Sequence, residues 1–213
     1  MNTNLQKRLM ELSFKHKLSH LGSCLTSLPI IQDIYSRKLD DEVFILSNGH
    51  AGLALYVILE ARYGLDAEAL LEKHGIHPNR DLPNRIFCST GSLGSGLPIA
   101  VGHAIADRNK KVYCLISDGE SAEGSVWESL RFIQVSQLTN LEVYVNVNGF
   151  SAFDVVDIPY LVARLKAFLP NIIIHQTVCN EFPSFLSGLL AHYYVMKPED
   201  WEIVKATYEK NLC

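Results

Sequence analysis

The spacing of apolar positions changes several times along the chain, and the changes divide it into alternating helices and strands. Leu5, Leu9, Leu12 and Leu18 recur with charged residues between them, a period that predicts a helix over residues 4–18. "SHLGSCLTS" reads as a glycine- and serine-rich turn leading into a second apolar segment at residues 27–38. "DDEVFILSNGHAGLALYVILEARYG" reads as a short strand, a polar turn and a helix closed by Gly64. Residues 66–74 predict another helix, and "GIHPNRDLPNRIFCSTGSLGSG" reads as a loop too long to be a simple connection. "LPIAVGHAIADR" predicts a helix of small residues, "KKVYCLIS" a buried strand, "SVWESLRFIQVSQL" an amphipathic helix and "LEVYVNV" a further buried strand. Residues 159–168 and "NIIIHQT" repeat helix and strand. Strand, helix, strand implies parallel crossovers, so the expected class is α/β, a parallel central sheet with helices on both faces.

Size and composition narrow the options. A chain of 213 residues buries a substantial core and suggests one domain over residues 1–213, with no internal repeat or linker. The net charge of −4 offers no basic footprint for nucleic acid. The longest apolar runs, such as "LPIIQDIY", are too short to span a membrane and the N-terminus lacks a signal-peptide core, so a soluble cytoplasmic protein is expected. The cysteines, Cys24, Cys88, Cys114, Cys179 and Cys213, are odd in number and form no CxxC, which favours small core residues over disulfides or a zinc cluster.

Ligands of parallel sheets gather where strands hand over to helices at their carboxyl ends. Asp118 and Asn148 close the adjacent strand candidates 111–117 and 142–147, and one crossover would place them side by side. A carboxylate, an amide oxygen and a nearby carbonyl suit Mg²⁺ or Ca²⁺, whose remaining ligands are commonly phosphate oxygens and water. Gly119 lets a phosphate approach the backbone, and the helix starting near Glu123 would aim free N–H groups at the same place. Either dipeptide alone, Asp118-Gly119 or Asn148-Gly149, is equally an ordinary turn. Among the histidines, His16, His74, His103 and His175 read as structural or surface groups, whereas His20, His50 and His77 all occur in turns bearing glycine or proline. Glu120 and Glu128 read as solvated or capping acids.

Asp118-Gly119, followed about thirty residues on by Asn148, resembles the thiamine-diphosphate motif, written GDG with an asparagine-containing close. Further segments resemble the transketolase branch: "SHLGS" its "GHPGA", "LSNGHAGLALY" its "SxGHA", "IHPN" its "GHPE", "CSTGSLGSGLPIAVGHAIA" its "TTGPLGQGxxxAVGxA" and "SDGESAEGSVWE" its "GDGCxxEGxxWE". The matches are colinear over roughly residues 18 to 150. The resemblance implies that Asp118, Asn148 and the Phe150 carbonyl hold Mg²⁺ or Ca²⁺, with Gly119, Glu120 and Asn148 near the diphosphate of thiamine diphosphate. It implies that His50 reaches the diphosphate, that His20 and His77 face substrate, and that His192 corresponds to a late histidine serving both cofactor and chemistry. Gly91 and Leu93 would hold the aminopyrimidine, and Glu123 would join a carboxylate network across a subunit interface.

The transketolase resemblance covers only the diphosphate-binding domain of a three-domain enzyme. The pyrimidine-binding and C-terminal domains would then belong to a separate C-terminal subunit. The implied function is the N-terminal subunit of a split transketolase moving a two-carbon ketol unit between sugar phosphates, as an α2β2 heterotetramer, with the lone chain a homodimer. Other thiamine-diphosphate enzymes (a 2-oxo acid decarboxylase or dehydrogenase, or one like deoxyxylulose-phosphate synthase) and a non-catalytic module that binds cofactor or partner are the alternatives. Two positions depart from the family pattern: Ser117 replaces the first glycine of GDG, and Asn146-Val147 replaces a frequent acidic pair.

Overall fold

The computed structural model describes residues 3–151, 154–177, 183–186, 188 and 192–210. Its helices are α1 (Thr3–Lys15), α2 (Leu21–Arg37), α3 (Gly52–Tyr63), α4 (Ala67–His74), α5 (Gly96–Ala106), α6 (Gly124–Val135), α7 (Ile158–Phe168) and α8 (Pro198–Lys210). The strands β1 (Val43–Leu46), β2 (Val112–Ser117), β3 (Leu141–Val147) and β4 (Ile173–Gln176) form a parallel sheet in the order β1-β2-β3-β4. The α/β expectation holds.

Alternation along the strands explains the layering. Phe44, Leu46, Tyr113, Leu115 and Tyr144 face a core shared with α1, α2, α3 and α4, while Val43, Ile45, Val112, Cys114, Ile116, Val143 and Val145 face one shared with α5, α6 and α7. Because both faces are covered, β2 is buried at every position, and its run of apolar residues shows no alternation of polarity. Each fully buried Leu or Ile in these layers contributes roughly 1.5–3 kcal/mol. Cys24, Cys88 and Cys114 are free and buried, as small core residues should be; Cys179 and Cys213 lie outside the described residues.

Three differences from the sequence-based expectations have physical causes. The segment expected to be a Gly/Ser turn is instead the first turns of α2, which runs from Leu21 through Pro29. Ser23, Thr26 and Ser27 are buried there, and the Thr26 hydroxyl donates to the Ser23 carbonyl, so polar residues line an inward face. α1 stops at Lys15 rather than residue 18, because Lys17 takes a positive φ of 52°. α8 has no counterpart among the expected elements; it packs against α1, with Phe14 and Trp201 stacked at 5.1 Å.

Candidate functional site at the carboxyl ends of the strands

β2 and β3 pair in parallel from Val112↔Leu141 to Ser117↔Asn146, which brings Asp118 and Asn148 together just beyond the last pair. Asp118 is 1% exposed. Gly119 N–H donates to its Oδ1 at 3.0 Å, while Asn148 and Gly149 N–H donate to Oδ2 at 2.9 and 2.7 Å. Burial nonetheless raises its pKa to about 6, the backbone donors offsetting only part of the desolvation. A buried carboxylate with unused lone pairs beside the Asn148 amide is a donor set that a hard divalent cation fits.

One cleft collects the residues singled out by sequence. It is lined by His20, His50, His77, Gly91, Leu93, Asp118, Gly119, Asn148, Phe150 and His192, together with Ser23, Ser117, Ser151 and Tyr193. His20 sits just before α2 with φ 63°, and its backbone N–H donates to the His192 carbonyl at 3.0 Å, tying two distant segments. The His20 ring centroid lies 5.7 Å from that of His50, 6.4 Å from His77 and 4.6 Å from His192. Enclosure, reinforced by neighbouring imidazoles, lowers the pKa of His20 to about 4 and of His50 to about 3; enclosure alone lowers that of His192. These three rings are therefore neutral at pH 7, each offering one N–H donor and one acceptor.

The long loop between α4 and α5 is ordered by its own contacts. Asp81 accepts from Lys73, His74 and Asn84, and Thr90 N–H donates to the Pro78 carbonyl. This holds exposed His77 over the cleft. Gly91, with φ 145°, passes under that ring: a Cβ there would lie 2.9 Å from His77 Cγ. His74 is thus the structural group expected, and His16 pairs with Glu68 at 2.5 Å. His175 stacks on Tyr144, whereas His103 is partly exposed on α5.

Two expectations need correction. Glu120 is neither solvated nor in contact with the cleft: it is 0% exposed and absent from the cleft wall. The sequence hides this because a 3-10 turn over Gly119–Ala122 swings the side chain inward. The same turn separates α6 from the cleft, so Gly119 borders the site and the α6 N-terminus does not. Glu123 instead precedes α6, its side chain against Gly94. The departures from the family pattern are only partly accommodated, since the Asn146 Oδ1 is buried without a hydrogen-bond partner among the described residues. Ser117 Oγ accepts from Glu120 N–H at 3.3 Å, and Asn146, 0% exposed, donates to the hydroxyls of Thr26 and Ser27.

Ser23, Ser151 and Tyr193 line the cleft without having stood out in the sequence. Ser23 lies one helical turn after His20, a relation visible only once α2 is known to begin at Leu21. Tyr193 adjoins His192, with ring centroids 4.6 Å apart; nothing in its sequence context marks it.

A parallel α/β domain with a buried carboxylate and an amide at adjacent strand ends, beside a cluster of imidazoles, defines a class of protein whose ligand site lies at the carboxyl ends of its strands and suits a hard cation. Comparison with known proteins agrees and is more specific. Residues 33–160 match the model of the transketolase, thiamine diphosphate binding domain family. The chain is 32% identical over 163 residues to one subunit of the apulose-4-phosphate transketolase of Phocaeicola vulgatus, covering 67% of this chain and 58% of that protein. It is 37% identical over 129 residues to human transketolase, covering 55% of this chain and 20% of that one. Among solved structures, transketolase from Pichia stipitis in complex with sedoheptulose 7-phosphate superposes with TM-score 0.75 at 19% identity, over 97% of this chain and 40% of that one. Transketolase from Leishmania mexicana gives 0.74 at 22%, over 97% and 41%. At such identity these structures establish the fold. The chain belongs to the transketolase thiamine diphosphate binding domain family. It spans just over half the length of the Phocaeicola relative and a fifth of the human one. Among the described residues, no helix is long and apolar enough to cross a membrane.

Proposed function

We propose that this chain is the diphosphate-binding subunit of a split transketolase. It would bind thiamine diphosphate with Mg²⁺ or Ca²⁺ and, joined to a separate chain carrying pyrimidine-binding and C-terminal domains, transfer a two-carbon ketol unit between sugar phosphates. The observation carrying this reading is the convergence of Asp118 and Asn148 with His20, His50, His77 and His192 on one cleft. Membership in the family supports the cofactor, and the Phocaeicola relative is itself named as one subunit of its enzyme. On this reading residues 1–213 form one diphosphate-binding domain, and Glu123 faces a subunit interface in a homodimer or an α2β2 heterotetramer.

Asp118, Asn148 and the Phe150 carbonyl would hold the metal, with Gly119, Asn148 and His50 toward the diphosphate and Gly91 and Leu93 toward the aminopyrimidine. Bound thiamine diphosphate supplies the carbanion chemistry of ketol transfer. The protein's own share is to exclude water, orient the substrate and manage protons. Neutral His20 and His192 can donate an N–H to a substrate oxygen or accept its proton, and exposed His77 meets substrate entering from solvent. The cytoplasm, where thiols stay reduced, suits the free Cys24, Cys88 and Cys114.

Calorimetric titration of the chain with thiamine diphosphate, with and without Mg²⁺, alone and mixed with a candidate C-terminal chain, tests this. Metal-dependent binding that tightens on mixing, followed by ketol transfer, is the expected result. Pyruvate decarboxylation in place of ketol transfer would move the chain to another branch, and no binding in any mixture would leave a non-catalytic module.

A further inference from the structure

The Glu120 carboxylate is fully buried among three segments that each carry part of the cleft. Its Oε1 accepts from Ser47 Oγ at 2.6 Å and from Gly94 N–H at 2.9 Å, and its Oε2 accepts from Ser117 N–H at 3.0 Å. Ser47 follows β1 and leads through Asn48 and Gly49 to His50. Gly94 follows Gly91 and Leu93 in the loop bordering the cleft. Ser117 ends β2 immediately before Asp118. Among the described residues no lysine, arginine or histidine bonds to Glu120; its donors there are two backbone N–H groups and a hydroxyl. Burying an acid is costly and three neutral donors return only part of that cost, so a residue with no role beyond packing would be expected to be apolar.

We infer that Glu120 is a positioning residue that fixes the His50 turn, the Gly91–Gly94 loop and the Asp118 turn in mutual register, without touching cofactor itself. The inference rests on the proposed reading of the cleft as a thiamine-diphosphate site. A single carboxylate performs this because its two oxygens accept from three donors in divergent directions, whereas a carboxamide of the same shape presents N–H₂ to at least one of them. The loops then lose a fixed relation while the core beneath them stays packed. Cofactor affinity suffers and the reacting groups, once cofactor is bound, stay in place.

Glu120→Gln in the full chain tests this by two independent readings, and Glu120→Asp, which keeps the charge but withdraws the oxygens, serves as the second variant if the first folds poorly. Hydrogen exchange followed by NMR should show the Ser117 or Gly94 amide exchanging about tenfold or more faster, with the Asn148 and Gly149 amides held by Asp118 unchanged. In the enzyme assembled with its C-terminal chain, half-saturation by thiamine diphosphate should rise about tenfold while kcat at saturating cofactor changes by less than about twofold. Unchanged exchange at both amides, or a kcat loss that saturating cofactor does not restore, overturns the inference. If the wild-type chain binds no thiamine diphosphate with any partner, the reading of the cleft fails, and the exchange comparison still decides whether Glu120 holds the loops together.

Discussion

Asp118 combines two duties that a single substitution can separate. It is buried and accepts three backbone N–H groups, so Asp118→Ala would orphan the Asn148 and Gly149 donors and damage the turn as well as any metal site. Asp118→Asn retains one acceptor oxygen. We expect it to lose about 1–2 kcal/mol of stability by urea titration yet remain folded, and to abolish the Mg²⁺ dependence of thiamine-diphosphate binding in calorimetry. Metal-dependent binding that survives in Asp118→Asn would remove Asp118 from the ligand set. His77 is an exposed residue of the cleft wall. His77→Ala should therefore lower kcat of the assembled enzyme by about tenfold or more while leaving cofactor affinity within about twofold. An equal loss of both would place it in the cofactor shell.

The lowered histidine pKa values also tie stability to pH. His50 titrates at about 3 in the folded protein against 6.5 for the free side chain. Between those values the unfolded chain binds a proton that the folded chain refuses, so its contribution is complete above about pH 6.5 and is lost as pH falls below it, by up to about 1.4 kcal/mol per pH unit. His20 acts in the same direction but less strongly, since it is only partly enclosed and screened by solvent. Asp118, raised to about 6, works in the opposite direction between about pH 4 and 6, so the readout is the difference between variants: the urea midpoint of His50→Gln should gain on the wild type as pH falls from 7 to 5, and an unchanged difference would assign the acid sensitivity elsewhere.

At the scale of elements, what can be read from sequence is what depends on local pattern. β2 and β3 announce themselves as short apolar runs, the α3 terminus by Gly64 at φ 70°, and α4 by Asp66, whose carboxylate accepts from Glu68 and Ala69 N–H. The start of α2 is not legible, because serine and threonine there satisfy themselves against a buried interface that the local sequence does not reveal. Glu120 misleads for the same reason: two donors from distant segments, Ser47 and Gly94, join the nearby Ser117 N–H and turn an apparent surface acid into a buried one. The α4–α5 loop stands between these cases, recognisable as ordered by its length but not by its contacts. One close approach in it is Gly91, where any side chain would meet both an unfavourable φ and the His77 ring. Gly91→Ala should cost about 1–3 kcal/mol and displace His77, read as a changed His77 ring signal by NMR together with reduced turnover in the assembled enzyme. A native ring signal and native turnover would show that the loop yields without moving the imidazole.

On the proposed reading, the cleft would be one wall of a site that a partner chain completes. His50, Asp118 and Asn148 follow the carboxyl ends of β1, β2 and β3, and His20, His77 and His192 reach the same cleft from loops and from the start of α2. Apolar surface remains exposed on two of the helices that cover the sheet: Ile99 and Ile105 on α5, and Phe132 and Val135 on the neighbouring α6, are between 40% and 72% exposed. Glu123 stands at the start of the same α6. A chain built to work alone would gain by making these positions polar, whereas a subunit that covers them on assembly gains from keeping them. Replacing Ile105 and Phe132 by serine should therefore leave the thermal midpoint of the isolated chain nearly unchanged but weaken its association, with itself or with the C-terminal chain, by about tenfold or more in sedimentation. Because assembly completes the cofactor site in this reading, the same double variant should also lose the tightening of thiamine-diphosphate binding that mixing brings to the wild type. If association weakens and cofactor binding does not, the α5–α6 face joins subunits without shaping the cleft; if neither changes, the partner docks elsewhere and the exposed apolar residues serve no assembly.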